Sequence, residues 1–221
     1  MASTTSDLGF RDTIGSIDEL TEHYRPPSKL VQGKATPIID EGCRDFIASS
    51  TFVLIGTASA EGDQDVSPKG GPAGFVKVLD DKRLVIPDMN GNNRLDSLRN
   101  IVENPRVGLL FLIPGLGETL RINGSACITT DPEVLDVFAE ELRRPKTAIG
   151  VTIDEGYMHC AKSFRRGAMW TPEEWPTSAQ RPSIGKILID HTGQETAMSS
   201  KELEDYLEAS YVEDLAADMP E

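Results

Sequence analysis

The sequence contains few of the residues and motifs on which metal sites and nucleophilic enzymes depend. Its 221 residues include three widely spaced histidines and three cysteines, Cys43, Cys127 and Cys160, without a Cys-x-x-Cys pair. An odd and dispersed set of cysteines argues against a disulfide framework and favours reduced thiols. The motifs of phosphate loops, dinucleotide folds, serine hydrolases and zinc proteases are all missing from the sequence. We therefore expect neither a metal site nor a catalytic triad.

Long apolar runs are also missing from the sequence. No stretch approaches the length that spans a bilayer, and the first residues lack the basic and apolar regions of a secretory signal. The composition, with 38% hydrophobic and 26% charged residues, is typical of a folded globular protein. We expect a cytoplasmic protein without a membrane segment.

Positive charge is scarce as well. Lysine and arginine total 22 against 36 aspartates and glutamates, so the formal net charge is −14. This excess disfavours nucleic acid and anionic membranes as partners, because both would be repelled. The charge is uneven, however: residues 195–221 hold nine acids and one lysine, whereas residues 64–126 hold eight basic and seven acidic residues. The middle of the chain can therefore bind a small anion, and we interpret the acidic end as a solubility or docking element.

Hydrophobic patterning predicts a mainly β protein with helices, an α+β fold. Apolar and β-branched runs predict strands at 51–58, 65–67, 75–79, 83–87, 107–113, 119–128 and 146–153. Helical spacing and capping residues predict helices at 16–24, 40–49, 92–104, 130–142 and 158–164, and a last one from 201. The short gaps between strands disfavour crossover helices, so we expect a small antiparallel barrel or sandwich with helices outside.

Two segments carry groups suited to binding an anion. Residues 66–72 lie between strands, where glycines permit a close backbone approach and Ser67 and Lys69 could donate to phosphate oxygens. Residues 88–94 lead from a strand into a helix, which places Arg94 and free backbone N–H groups at a helix N-terminus. Either cation could instead be an ordinary solvated surface residue.

A third cue is Arg121, which interrupts an otherwise apolar strand and should need an anionic partner there. The alternative is a simple ion pair with Glu118. Three such cues on one small fold favour a site for a phosphorylated ligand more strongly than each does alone.

Four motifs follow one another in the order SPKG (67–70), LVIPDMNGNNR (84–94), ENPRVGLLF (103–111) and ETLRINGSA (118–126). In this order they resemble the pyridoxamine 5′-phosphate oxidase superfamily, the FMN-binding split β-barrels. The segment 159–175, with its HCAKS and MWTPEEW motifs, resembles a branch of probable FMN-dependent relatives that carry a C-terminal extension. The combination of motifs is more specific than any one of them.

The resemblance implies a six- to seven-stranded antiparallel split β-barrel with peripheral helices. It further implies a homodimer that binds FMN in the clefts between subunits and acts on a small molecule. We expect an N-terminal helical arm (1–40), the FMN-binding barrel (41–157) and a C-terminal extension (158–221) packed on the barrel and ending in an acidic helix. Together they would form a single domain.

The resemblance also implies a set of cofactor-binding residues. They are Ser67, Lys69, Val85, Ile86, Pro87, Asp88, Asn92, Asn93, Arg94, Arg121 and Trp170. In this set the residues from 92 to 94 would hold the phosphate, and the backbone of 85–88 would border the flavin ring. Arg121 would contact the flavin or an anionic group near the subunit boundary, and Trp170 could close the pocket. No catalytic side chain is assigned, because the flavin itself carries the redox chemistry.

Two departures from the vitamin B6 oxidases argue against pyridoxamine phosphate oxidation. Ser-Pro-Lys stands where the family has a basic pair, and the C-terminal substrate motif is replaced by a tryptophan-rich extension. An FMN-dependent oxidoreductase is our first hypothesis. The alternatives are a non-catalytic flavin- or haem-binding module and a reductase that uses the deazaflavin F420.

Overall fold

The computed structural model describes residues 9–91, 93–193 and 198–220. The chain divides into two compact units, residues 1–35 and 36–221. The described part of the first unit contains α1 (Ile17–Glu22) and α2 (Lys29–Gln32). Each of these helices begins after a serine whose hydroxyl accepts a hydrogen bond from a backbone N–H of the first turn.

Within the described residues of the second unit, seven strands form one antiparallel sheet. They are β1 (Phe52–Ala58), β2 (Gln64–Gly70), β3 (Lys77–Val78), β4 (Arg83–Pro87), β5 (Arg106–Leu112), β6 (Thr119–Thr129) and β7 (Ala148–His159). Their order in the sheet is β2-β1-β5-β6-β7-β4-β3, so β2 and β3 form its two edges. The sheet is not closed into a continuous barrel, and with its helices it confirms the predicted α+β, split-barrel type of fold.

Six helices accompany the sheet in the described part of this unit. They are α3 (Glu41–Ser49), α4 (Asp96–Glu103), α5 (Pro132–Asp136), α6 (Lys162–Arg166), α7 (Ile184–Thr192) and α8 (Ser200–Ala217). The helix α3 buries Cys43 in the core, and this burial raises the pKa of the Cys43 thiol to about 11. None of the described helices combines the length and the apolar character needed to cross a membrane.

Several predicted elements have different bounds in the structure. The strand β7 continues to His159, so the predicted helix at 158–164 is wrong at its start, and α6 begins only at Lys162. The extension of β7 follows from its partner, because β6 pairs with it over its whole length. The predicted helix at 130–142 is shorter, since hydrogen-bonded turns after α5 carry Phe138 and Leu142 into the core.

The core lies on the inner face of the sheet, where alternate residues of the central strands are buried. In β1, β5 and β6 these are Val53, Ile55, Val107, Leu109, Phe111, Leu120 and Ile122. The helix α4 packs across β1, β2 and β6. Its Ile101 is buried, and its Asn100 donates a hydrogen bond to the Thr57 hydroxyl at 3.0 Å. These contacts fix the N-terminus of α4 beside the edge strand β2.

The helices α7 and α8 form a closely packed pair at the end of the chain. A Cβ atom on Gly185 would lie 2.1 Å from the carbonyl oxygen of Ser200, so only glycine permits this approach. The Glu204 carboxylate accepts hydrogen bonds from the Ser183 hydroxyl at 2.6 Å and the Gly185 N–H at 3.0 Å, which lower the pKa of Glu204. Ser199 and Glu202 form a capping box at the start of α8, in which the side chain of each accepts a hydrogen bond from the backbone N–H of the other.

Candidate functional site

A cavity of about 570 Å³ lies between β2, the end of β4 and the N-terminus of α4. It brings together six of the residues predicted from the sequence. They are Ser67, Lys69, Pro87, Asp88, Asn93 and Arg94. Two of the three anion-binding cues, at 66–72 and 88–94, therefore come together in one cavity, whereas Asn92 lies outside the described residues.

The strand β2 contributes its polar face to this cavity. Alternate residues of a strand point to the same face, and Asp65, Ser67 and Lys69 are the partly buried positions of β2. Pro68 stands between them, which an edge strand tolerates because it need not supply every N–H to a neighbour. The strand is longer than the predicted 65–67, so Lys69 belongs to the strand rather than to a turn.

The turn between β4 and α4 has an unusual backbone. Asn93 and Leu95 both adopt left-handed conformations, with φ of 57° and 63°. This geometry cannot continue a helix, so α4 begins at Asp96 rather than at the predicted residue 92, and Arg94 precedes the helix. Leu95 occupies the N-cap position, and no described side chain caps it. The N–H groups of the first turn therefore combine with the helix dipole in a way that favours an anion.

Two cations line the cavity, and each is paired with a carboxylate. The Nζ atom of Lys69 lies 3.3 Å from Asp88 Oδ1, and both side chains are about three-quarters buried. The Nε atom of Arg94 lies 2.8 Å from Asp96 Oδ2, which raises the pKa of Arg94. The Arg94 side chain is 73% exposed, and an exposed pair of this kind contributes little free energy. Arg94 can therefore turn to a bound anion at small cost.

A hydrogen-bond network connects β2 to α4 beneath the cavity. The Asp65 Oδ2 atom accepts from the hydroxyls of Ser67 at 3.0 Å and Ser97 at 2.6 Å, and Ser97 Oγ lies 2.8 Å from Ser67 Oγ. Because the Ser67 hydroxyl donates to Asp65, it can donate to a phosphate oxygen only if it turns away from Asp65. Sequence reasoning missed Asp65 and Ser97, although the alternation of β2 already places Asp65 on the same face as Ser67.

Arg121 lies away from this cavity. It lines a separate cavity of about 590 Å³ together with Arg106 and Asn123. Its Nε atom donates to Asn123 Oδ1 at 3.1 Å, and its guanidinium carbon lies 5.6 Å from the centre of the Tyr157 ring. The partner expected from sequence, Glu118, is replaced in this arrangement by an amide and an aromatic ring.

Three further predicted residues also lie outside the cavity lining. The side chains of Val85 and Ile86 are fully buried in the core, because β4 pairs with both β3 and β7. Trp170 stacks on Phe164 with ring centres 5.7 Å apart, and its indole N–H donates to the Leu116 carbonyl at 2.8 Å. The roles of these residues toward a flavin remain predictions.

Within residues 9–91, 93–193 and 198–220, no three or more histidine, cysteine, aspartate or glutamate side chains are grouped so as to hold a metal ion. The cavity lining combines groups that favour an anion, namely backbone N–H groups, amides and two cations, with three carboxylates, Asp88, Asp96 and Asp218.

Comparison with known proteins gives structural similarities of low identity. The HupZ protein of Group A Streptococcus is 18% identical and aligns over 53% of this chain and 91% of its own, with a TM-score of 0.44. A putative pyridoxamine 5′-phosphate oxidase of Lactobacillus delbrueckii is 19% identical over 56% of this chain and 98% of its own, with a TM-score of 0.42. The heme storage protein HutZ of Vibrio cholerae is 12% identical over 55% and 93%, with a TM-score of 0.39.

The sequence itself matches the pyridoxamine 5′-phosphate oxidase family over residues 39–160. No curated protein matches the sequence. The matched residues make up more than half of the chain and include β1 to β7 together with α4. They thus contain the complete cavity lining except for two residues at the end of α8.

The network around Asp65 predicts a measurable contribution to stability. Asp65→Ala removes the acceptor of two hydroxyl groups, one of them on the buried Ser97, so we expect the free energy of unfolding to fall by about 2 kcal/mol. Urea denaturation measures this loss. Asp63→Ala, at an exposed position just before β2, is the control and should change stability by less than about 0.5 kcal/mol. Equal losses in the two variants would contradict the role given to Asp65.

Proposed function

Because the chain belongs to the pyridoxamine 5′-phosphate oxidase family, we propose that it is an FMN-binding flavoprotein and an FMN-dependent oxidoreductase acting on a small molecule. The observation that carries this proposal is the start of α4. There, a left-handed turn at Asn93 and Leu95 leads into an N-terminus without a side-chain cap among the described residues. This N-terminus borders the cavity that Lys69 and Arg94 line.

The residues present fit a phosphorylated cofactor. The phosphate would be held by the first-turn N–H groups of α4, by Arg94 and by Lys69, since charge-assisted hydrogen bonds at a helix N-terminus favour a dianion. Asp65 would keep Ser67 in place at this end. The cavity volume of about 570 Å³ is within the range of roughly 300–1,000 Å³ typical of small-ligand sites.

The remainder of the cofactor would lie toward Pro87 and Asp88, at the end of β4. FMN supplies the hydride or electron transfer when bound, while this chain binds and orients it and limits the access of water. Lys69 would keep a positive charge at this side of the cavity, held in position by its ion pair with Asp88. No side chain of this chain is proposed as a nucleophile.

We also propose that the protein is a homodimer that completes the cofactor site between subunits. The outer face of the sheet supports this, because Leu54, Leu110 and Arg121 lie side by side in register across β1, β5 and β6. Val66, on the neighbouring edge strand, is 66% exposed. A second copy on this face would cover these apolar groups and bring Arg121 to a subunit boundary.

The dimer is tested by the mass of the particle in solution. Sedimentation equilibrium should give about twice the chain mass of 24.1 kDa. Leu110→Glu places a charge in the middle of this face, and we expect it to shift the mass toward that of a single chain. A wild-type protein that sediments as a monomer at all concentrations would contradict the proposal.

The phosphate site is tested with two arginine variants of the same region. Arg94→Ala should raise the Kd for FMN roughly 30-fold, through the loss of a charge-assisted hydrogen bond. Arg99→Ala, on the exposed side of α4 and outside the cavity lining, should leave the Kd unchanged. Quenching of flavin fluorescence measures both constants. Riboflavin, which lacks the phosphate, should bind equally to wild type and Arg94→Ala, and an unchanged FMN affinity in that variant would place the phosphate elsewhere.

Catalysis is tested by reduction of the bound cofactor. We expect the purified protein to be yellow, to release FMN on denaturation, and to bleach under anaerobic conditions with NADPH or NADH. A flavoprotein that binds FMN but is not bleached by either nucleotide would be a binding module rather than an oxidoreductase. Released F420 or haem in place of FMN would favour the corresponding alternative, and a colourless protein without affinity for FMN would contradict the proposed function.

A further inference from the structure

The last turn of α8 lies at the phosphate end of the cavity. Leu215 and Asp218 belong to the cavity lining, although they are more than 110 residues away from the other lining residues in sequence. The Asp218 carboxylate accepts a hydrogen bond from the Asn90 side-chain amide at 2.9 Å and lies 3.4 Å from the Asn90 backbone nitrogen. Asn90 precedes the left-handed turn, so Asp218 is bonded to the same loop that would hold a phosphate.

A carboxylate in this position acts against an anionic ligand in two ways. It takes up the amide donors of Asn90, which are then not available to a phosphate oxygen. It also adds a negative charge, so that the described lining contains three carboxylates, Asp88, Asp96 and Asp218, against two cations. A phosphate bound near Lys69 and Arg94 would lie in the same cavity as the Asp218 carboxylate, and the two negative charges would repel each other.

The last turn of α8 is held in this position mainly by polar contacts. The Asp218 carbonyl accepts a hydrogen bond from the Arg143 N–H at 2.8 Å. None of the residues of α8, all of which the structure describes, is buried, and Leu215 is 66% exposed. Few apolar contacts would therefore be lost if this turn moved, and segments of this kind open at low free-energy cost.

We propose that Asp218 is an intramolecular competitor for the phosphate site, and that a phosphorylated ligand binds by displacing the last turn of α8. The inference rests on the proposed function, because it assigns the cavity to a ligand with a phosphate group. Displacement couples the two events, so ligand binding releases Asp218, and a change that weakens the Asp218 contact strengthens ligand binding by at most the same factor. The acidic end of the chain thereby sets the affinity of the site.

The proposal is tested by removing the charge without changing the shape. Asp218→Asn keeps an oxygen that can accept from Asn90, and we expect it to lower the Kd for FMN roughly three- to tenfold through the loss of repulsion. Glu208→Gln removes the same charge from an exposed position of α8 outside the cavity, and its Kd should equal that of wild type. An equal or higher Kd in Asp218→Asn would overturn the proposal, since Asp218 would then be neutral or helpful to binding.

A second measurement follows the helix itself. Amide hydrogen exchange in residues 213–220 should become faster when saturating FMN is added to the wild-type protein, because the last turn of α8 is released. Slower or unchanged exchange there would overturn the proposal, because the last turn of α8 would then stay in place as part of the cavity lining when the ligand binds.

Failure of the proposed function can be told apart from failure of this inference by using inorganic phosphate as the probe. If neither wild type nor Asp218→Asn binds FMN, the assignment of the cofactor is wrong. The competition is then tested by amide hydrogen exchange in residues 88–98, measured in both proteins with and without inorganic phosphate. Stronger protection in Asp218→Asn than in wild type would support the competition, and equal protection would overturn it.

Discussion

The candidate site depends on one constraint, the fixed placement of the α4 N-terminus against the edge strand β2. The Asp65 carboxylate bonds both Ser67 on the strand and Ser97 in the first turn of the helix, while Asn100 joins the same helix to β1. With the helix held in this way, its first-turn N–H groups, which no side chain of the described residues caps, face the side of β2 that carries Lys69. Together with the packing of α4 on the sheet, this connection sets the distance between Lys69 and the first turn of α4.

Electrostatics in this protein are local rather than global. The net charge of −14 disfavours polyanions over the surface as a whole. The proposed phosphate site depends instead on nearby groups, a helix N-terminus and two cations set against three carboxylates, because such interactions act over a few ångströms and are screened beyond about 8–10 Å. Asp218 belongs to the acidic end of the chain, and it also lines the cavity that contains Lys69 and Arg94. This one residue therefore contributes both to the net negative charge and to the local charge of the site.

Sequence reasoning was most successful where the signal is local. The alternation of apolar residues predicts all seven strands, and Ser67, Lys69 and Arg94, which adjacent residues mark as candidates for anion binding, do line one cavity. Features that depend on distant partners were missed. The length of β7 depends on its pairing with β6. Ser97 contributes to the site because it donates a hydrogen bond to Asp65. Asp218 is held at the cavity by Asn90, which is 128 residues away in sequence. The separation of Arg121 from this cavity likewise follows from sheet order, which local patterns do not contain.

The close approach of Gly185 to Ser200 holds the start of α8 against α7. Its first residue is pressed against α7 with no room for a side chain, while its last turn touches the cavity at the other end. A helix of 18 residues is about 27 Å long, so a rotation of roughly 10° at the Gly185 joint would move the far end by about 5 Å. The helix α7 therefore packs against the start of a helix whose last turn lines a cavity that α7 itself does not line.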